Sequence, residues 1–79
     1  MELADLIKSI IIELVDNPEE VDITEVETDS QIILELKVAK DDFGKVIGKS
    51  GKNISAIRTI LFAINAKQGG KKARLDVVE

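Results

Sequence analysis

The residues best suited to chemistry lie in one short window, residues 44–54, which reads GKVIGKSGKNI. Its three glycines leave stretches of backbone bare, so a ligand can approach the chain closely. Its three lysines attract anions, and its serine hydroxyl can donate a hydrogen bond to a phosphate oxygen. The window therefore predicts a site for phosphate groups. Three interpretations compete: a nucleotide-triphosphate loop, a clamp on a nucleic-acid backbone, and a turn that only joins two helices.

The spacing of the glycines disfavours the nucleotide-triphosphate loop. That loop has four residues between its first glycine and the Gly-Lys-Ser segment, whereas Gly44 and Gly48 enclose three. It also has to follow a strand, and the pattern of Phe43, Val46 and Ile47 predicts a short helix instead. A turn alone is disfavoured too, because it needs neither lysines nor flanking aliphatic residues.

The backbone clamp agrees best with the residue types in the window. Gly48 and Gly51 enclose Lys49 and Ser50, which makes a G-x-x-G loop between two predicted helices. The N-terminus of the second helix would offer unpaired N–H groups and the positive end of the helix dipole. We therefore expect the loop to hold the phosphates of a nucleic acid.

Length and composition narrow the function classes. The chain has 79 residues, which predicts a single domain, residues 1–79. It contains neither cysteine nor histidine, so thiolate metal sites and the commonest general base are excluded. We expect a binding protein and not an enzyme, with no cofactor, metal or small-molecule substrate. No secretion signal or membrane segment is predicted, so a cytoplasmic protein is expected.

The charges are distributed unevenly along the chain. The formal net charge is −4, which by itself argues against a nucleic-acid partner. However, residues 1–39 hold two basic and eleven acidic residues, whereas residues 40–74 hold nine basic and two acidic residues. This asymmetry predicts that one part of the protein attracts a polyanion while the other repels it.

The hydrophobic periodicity predicts an α+β fold. Residues 31–39 alternate between apolar and polar types, as in a strand with one buried face. The helix near the N-terminus should end at Asn17-Pro18, and Asp41 or Asp42 should cap the short helix before the loop. The expected order is α-β-β-α-α-β, a three-stranded sheet with three helices on one face, with these elements: a helix over 2–15, strands over 21–27 and 31–39, a short helix at 43–47, a helix over 52–67 and a strand over 72–78.

Residues 46–54, VIGKSGKNI, resemble the V-I-G-x-x-G-x-x-I signature of K-homology (KH) domains. The predicted element order is similar to that of the bacterial, type II version of this fold. The resemblance covers essentially the whole chain and implies one KH domain, as in the small bacterial single-KH RNA-binding proteins. It therefore implies single-stranded RNA as the partner.

The resemblance also implies which residues contact RNA. In KH domains the G-x-x-G loop clamps the backbone of about four nucleotides, and bases lie along an adjacent aliphatic groove, here expected at Val46, Ile47, Ile54 and Ile57. Here strand 31–39 would be the second wall of that groove, and residues 67–72 would form a short basic loop beside it. The residues expected to bind RNA are Lys45, Val46, Ile47, Gly48, Lys49, Ser50, Gly51, Lys52, Ile54, Arg58, Lys71 and Lys72.

The resemblance further implies a role as an RNA chaperone or post-transcriptional regulator. It implies self-association, or pairing with a second KH-domain protein linked to cell elongation and cell-wall synthesis, and hence to cell shape. Two alternatives stay open: a protein–protein adaptor that uses the acidic half, and a ribosome-assembly factor with little direct RNA binding. In a ribosome-maturation relative of this fold a kinked helix replaces the loop. The retained Gly48 and Gly51 therefore favour the clamp.

Two expectations concern apolar side chains. The sequence has no tryptophan or tyrosine, and we expect its only two aromatic residues, Phe43 and Phe62, to lie in the core. The first helix has a wide apolar face that includes Ile11 and Ile12. That face is either buried within the domain or available for pairing.

Overall fold

The computed structural model describes residues 3–78. The element order α-β-β-α-α-β confirms the prediction. Single 3₁₀ turns precede β1, α2 and α3. Of the helices in the described range, none has the length and apolar character needed to cross a bilayer. The elements are α1 (Leu3–Ile11), β1 (Asp22–Glu27), β2 (Gln31–Lys37), α2 (Phe43–Ile47), α3 (Lys52–Gln68) and β3 (Lys72–Val78).

The three strands form one mixed sheet in the order β1-β2-β3. β1 pairs antiparallel with β2, as expected for two strands joined by a short polar turn. β2 pairs parallel with β3, with Leu34 opposite Leu75. Parallel strands need a long crossover, and here α2 and α3 provide it. β1 and β3 are therefore the edge strands, and each has one side free of a neighbouring strand.

The core lies between one face of the sheet and the three helices. The alternation in residues 31–39 is confirmed, because Leu34 and Leu36 are fully buried while Glu35 is half-buried and Lys37 exposed. Each helix contributes side chains to the same cluster, so all three helices cover one face. The buried members of the cluster are Ile7, Ile11, Val21, Leu34, Leu36, Val46, Ile54, Ile57, Leu61 and Leu75.

The first helix is shorter than predicted. It ends at Ile11 instead of residue 15, and its predicted start at residue 2 lies outside the described residues. The chain leaves the helix through tighter bonds, such as that from the N–H of Leu14 to the carbonyl of Ile11. Leu14 and Val15 still pack against the core, so the apolar pattern continues after the helix has ended.

The prediction that an aspartate side chain caps α2 is wrong for Asp42. Asp42 occupies the residue before α2, but its side chain makes no hydrogen bond to that helix. Instead the fully buried carboxylate accepts hydrogen bonds from the backbone of Asp16 and from the backbone and side chain of Asn17. Asp42 thus holds the α1–β1 connection against the start of α2.

Candidate nucleic-acid interface

The loop between α2 and α3 is a tight turn with unusual backbone angles. Three of its four residues have positive φ: Gly48 at 76°, Ser50 at 56° and Gly51 at 76°. The N–H of Gly48 donates to the carbonyl of Gly44 at 2.8 Å, and the N–H of Gly51 donates to the carbonyl of Gly48 at 3.1 Å. These bonds end α2 and close the turn, which leaves Lys49 and Ser50 exposed.

Position 48 has room only for glycine, because Asn53 packs directly against its backbone. A Cβ atom at position 48 would lie 2.7–2.9 Å from atoms of Asn53, including its backbone nitrogen. The side-chain amide of Asn53 donates to the carbonyl of Lys45 at 2.8 Å, which satisfies a free carbonyl in α2. Sequence reasoning missed Asn53, and the only signal for it was its place in the first turn of α3, directly after the loop.

The five lysines predicted to bind RNA fall into two groups. Lys49, Lys52 and Lys72 are exposed and make no ion pair with any other residue in the range 3–78. Their positive charges are therefore available to a ligand. Since α3 begins at Lys52, the positive end of its helix dipole adds to the charges of Lys49 and Lys52, whereas Lys72 lies beyond the other end of the helix.

The remaining two predicted lysines are already paired. The Nζ atom of Lys45 lies 3.2 Å from a carboxylate oxygen of Asp16 and 3.7 Å from one of Asp42. The hydrogen bond and charge of Asp16, together with Asp42, raise the pKa of Lys45 above its usual value. Lys71 donates to Glu27 at 2.6 Å and to the carbonyl of Thr28, so it ties the 67–72 segment to the β1–β2 turn.

A groove of about 610 Å³ opens beside the loop, between α3 and β3. Its second wall is β3 and not strand 31–39 as predicted. The physical reason is the strand order: β2 is central and has a neighbour on each side, whereas β3 has a free edge that can border a groove. The lining residues are Gly51, Ile54, Ser55, Arg58, Thr59, Leu61, Phe62, Ala73, Arg74 and Leu75.

Apolar and cationic side chains share this groove. Ile54 and Leu61 are nearly buried and form part of its floor. Arg58 donates from Nε and Nη2 to the carbonyl oxygen of Leu75, at 3.1 and 3.0 Å. Since arginine has five N–H donors, these two bonds leave others for a ligand. The second arginine, Arg74, pairs with Asp76 at 3.1 Å and remains half exposed.

The aliphatic residues predicted for the groove lie at different depths. Val46 is fully buried and Ile47 is partly buried, and both pack with the core. Val46 therefore supports the loop from below and offers no surface of its own. Of the four predicted positions, Ile54 lines the groove, whereas Ile57 is buried in the core and does not. The loop, Ile54 and Arg58 are brought together at one site, whereas Lys45 is paired with Asp16 and Lys71 lies beyond the far end of α3, paired with Glu27.

The prediction that both phenylalanines are core residues is wrong for Phe62. Phe62 is 65% exposed, and Phe43 is partly buried without belonging to the core cluster or to the residues packed against it. Successive residues of a helix point about 100° apart, so the residue after the buried Leu61 is turned away from the core. Phe62 lines both the groove and a smaller cavity of about 240 Å³ near Gly69 and Gly70.

This fold and loop define the class of protein. A three-stranded mixed sheet with three helices on one face, and a Gly-x-x-Gly turn between two of those helices, is a KH-type domain. A family model described as "KhpA/KhpB, KH domain" matches residues 4–77. The chain belongs to this family.

Curated relatives from several bacteria align over nearly the whole chain. The RNA-binding protein KhpA of Listeria monocytogenes is 47% identical over 77 residues, which are 98% of this chain and 100% of that protein. The protein of the same name from Chlamydia caviae is 48% identical, covering 98% of this chain and 97% of its own length. That of Bacillus subtilis is 44% identical, covering 98% and 94%.

Proposed function

We propose that this protein binds single-stranded RNA, with the sugar–phosphate backbone held at the 48–51 loop and bases in the α3–β3 groove. The observation that carries the proposal is the position of Gly51, which belongs to the loop and also lines the groove. A strand held at exposed Lys49 and Ser50 can therefore continue directly into the groove. The three relatives described above are named RNA-binding proteins, which supports the same ligand class.

The charges around the groove support the proposal. Lys49, Lys52 and Lys72 are unpaired within residues 3–78, and the arginines Arg58 and Arg74 line the groove. A few phosphate contacts on one small domain give modest affinity that falls steeply with salt. The two paired lysines, which are also in the predicted set, should contribute less to this dependence.

The test uses fluorescence anisotropy of a short labelled single-stranded RNA with the double variant Lys49→Asp/Ser50→Asp. Both side chains are exposed, and aspartate is one of the residues that tolerate positive φ, so the variant should fold. We expect RNA binding to be lost at moderate salt, because two acidic groups replace a cation and a donor in the loop.

A matched control exists in the same chain. Lys8 and Ser9 are another exposed Lys-Ser pair, located on α1, and Lys8→Asp/Ser9→Asp changes the net charge by the same amount. This variant should bind RNA nearly as the parent does, with circular dichroism confirming that both variants are folded. Equal binding by the loop variant and the parent would refute the clamp and favour the adaptor or ribosome-assembly alternatives.

The proposal extends to the cellular role of the protein and to its pairing. It treats residues 1–79 as one KH domain that acts on RNA in the cytoplasm as a chaperone or post-transcriptional regulator. It also includes pairing with a second copy or with another KH-domain protein linked to cell elongation and wall synthesis. Of the apolar face at the end of α1, Ile11 is fully buried within the domain while Ile12, just after the helix, is 36% exposed. Sedimentation velocity over a range of concentrations tests self-association directly.

A further inference from the structure

Phe62 is an aromatic side chain in a position where the core does not use it. It is 65% exposed, the largest fraction among the exposed large apolar residues of the described chain. Its ring borders both the groove and the smaller cavity, so it lies where the two join. Neither the loop clamp nor the packing of the domain accounts for a ring at this place.

The surroundings of Phe62 are cationic. Arg58 lies one helical turn before it on α3, Arg74 faces it across the groove, and Lys72 borders the smaller cavity. No acidic residue within 3–78 lines either cavity. Such a setting favours a polyanion with planar apolar groups, which describes a nucleic acid. Two copies of this chain paired through the patch about a two-fold axis would instead bring their cationic side chains together.

We infer that Phe62 is a stacking platform for a nucleotide base in the α3–β3 groove. The inference rests on the proposed RNA-binding function and adds a second contact to it. Phe62 is ten positions after Lys52 on α3, which corresponds to a rise of about 15 Å along the helix. The ring therefore binds a base well beyond the phosphates held by the loop, with Arg58 between the two contacts.

The chemistry of stacking sets the expected selectivity. Every base has a π face, so a single aromatic platform tolerates any of the four bases. Phe62 should thus raise the affinity for RNA without reading its sequence. Replacing a stacking ring by alanine should weaken binding by about tenfold, which is within the range for one stacked base.

The absence of tryptophan and tyrosine from the sequence makes a direct optical test feasible. The variant Phe62→Trp carries a single tryptophan, whose fluorescence should be quenched when a base stacks on it. Ile60→Trp is the matched control, because Ile60 is on the same helix and 43% exposed but lines neither cavity. We expect RNA to quench the first variant strongly and the second weakly.

Affinity measurements complete the test. Phe62→Ala and Phe62→Leu should both bind RNA about tenfold more weakly, because leucine keeps the apolar bulk but lacks the ring. An abasic RNA, which keeps the sugar–phosphate backbone but lacks the bases, should bind the parent and Phe62→Ala equally. Adding Lys49→Asp/Ser50→Asp to Phe62→Trp should abolish the quenching.

Each failure has a distinct meaning. If the parent binds RNA and the loop variant does not, while Phe62→Ala binds as the parent and Phe62→Trp is not quenched, the stacking inference is overturned and the clamp stands. If the parent itself does not bind RNA, both proposals fail. A fluorescence change of Phe62→Trp that depends on protein concentration without RNA would show that a second copy covers the ring, which also overturns the inference.

Discussion

The carboxylate of Asp42 accepts two hydrogen bonds from Asn17, one from its backbone N–H at 2.9 Å and one from its side-chain amide at 3.1 Å. A third bond comes from the backbone N–H of Asp16. The contact joins residues 25 apart in the sequence and places the α1–β1 connection beside α2. Because α2 leads directly into the 48–51 loop, this buried carboxylate helps to orient the candidate site.

Asp42→Asn should lower the thermal stability by an amount on the order of 5 °C. The fully buried site would keep its N–H donors but lose the charged acceptor. Asp41→Asn is the control, since Asp41 is an exposed neighbour on the same turn. Thermal melts followed by circular dichroism at neutral pH check this. Equal melting temperatures for the two variants would mean that the hydrogen bonds contribute little.

The stability should also depend on pH in a specific direction. Burial alone would raise the pKa of Asp42, but the hydrogen bonds from Asp16 and Asn17 and the charge of Lys45 lower it below the usual 3.8. The contribution is therefore complete above pH 3.8 and is lost as the pH falls through the lower folded value. Urea unfolding between neutral and acidic pH should show a smaller loss of unfolding free energy in Asp42→Asn than in the parent.

The sequence periodicity was enough to predict the element order and most of the core. Leu34 and Leu36 alternate with polar residues, and Ile54, Ile57 and Leu61 repeat with the helical period, so their burial has a local signature. The loop was predicted equally well, because glycines at this spacing indicate backbone conformations with positive φ, which Gly48 and Gly51 adopt.

Two features depended on distant contacts and had no such signature, whereas a third had one that the prediction did not use. The role of Asp42 needs the N–H groups of residues 16 and 17. The choice of β3 as groove wall depends on strand order, which periodicity does not determine. Phe62 was expected in the core because it is apolar, but its position directly after Leu61 already indicates a direction about 100° away from that buried residue.

Gly48→Ala should destabilise the protein, whereas Gly44→Ala should not. Gly48 has φ 76° and ψ 170°, a region open essentially to glycine alone, and an added Cβ would also meet the backbone of Asn53. The expected loss is about 2 kcal/mol or more. Gly44 lies inside α2 with open space around it, so alanine there should stabilise the helix by about 0.5–1 kcal/mol.

Urea unfolding of the two glycine variants checks this pair of predictions. Both replace one glycine by alanine within four residues of each other, so differences in their unfolding free energies report backbone geometry and not composition. A Gly48→Ala protein as stable as the parent would contradict the close contact with Asn53.

Arg58→Lys should separate the structural role of Arg58 from its charge. Lysine keeps the positive charge but cannot donate two hydrogen bonds in a fork to the carbonyl of Leu75. We expect the unfolding free energy to fall by about 1 kcal/mol, while the salt dependence of RNA binding stays unchanged. Arg74→Lys is the control, because Arg74 makes an exposed ion pair with Asp76, and its effect should stay within about 0.5 kcal/mol. Equal losses in both variants would show that the bonds to Leu75 are not the cause.

The salt dependence of RNA binding should distinguish the unpaired lysines from the paired ones. Lys52 makes no ion pair within the described chain, so Lys52→Gln removes one phosphate contact and should reduce the slope of log affinity against log salt by about 0.7.

The control uses Lys45, whose charge is already balanced by Asp16 at 3.2 Å. The double variant Lys45→Gln/Asp16→Asn removes one charge of each sign and should leave the slope nearly unchanged. Anisotropy titrations at several salt concentrations measure both slopes. An equal reduction in the two proteins would mean that Lys45 leaves its carboxylate partners when RNA binds, and an unchanged slope in Lys52→Gln would place the backbone contact elsewhere on the loop.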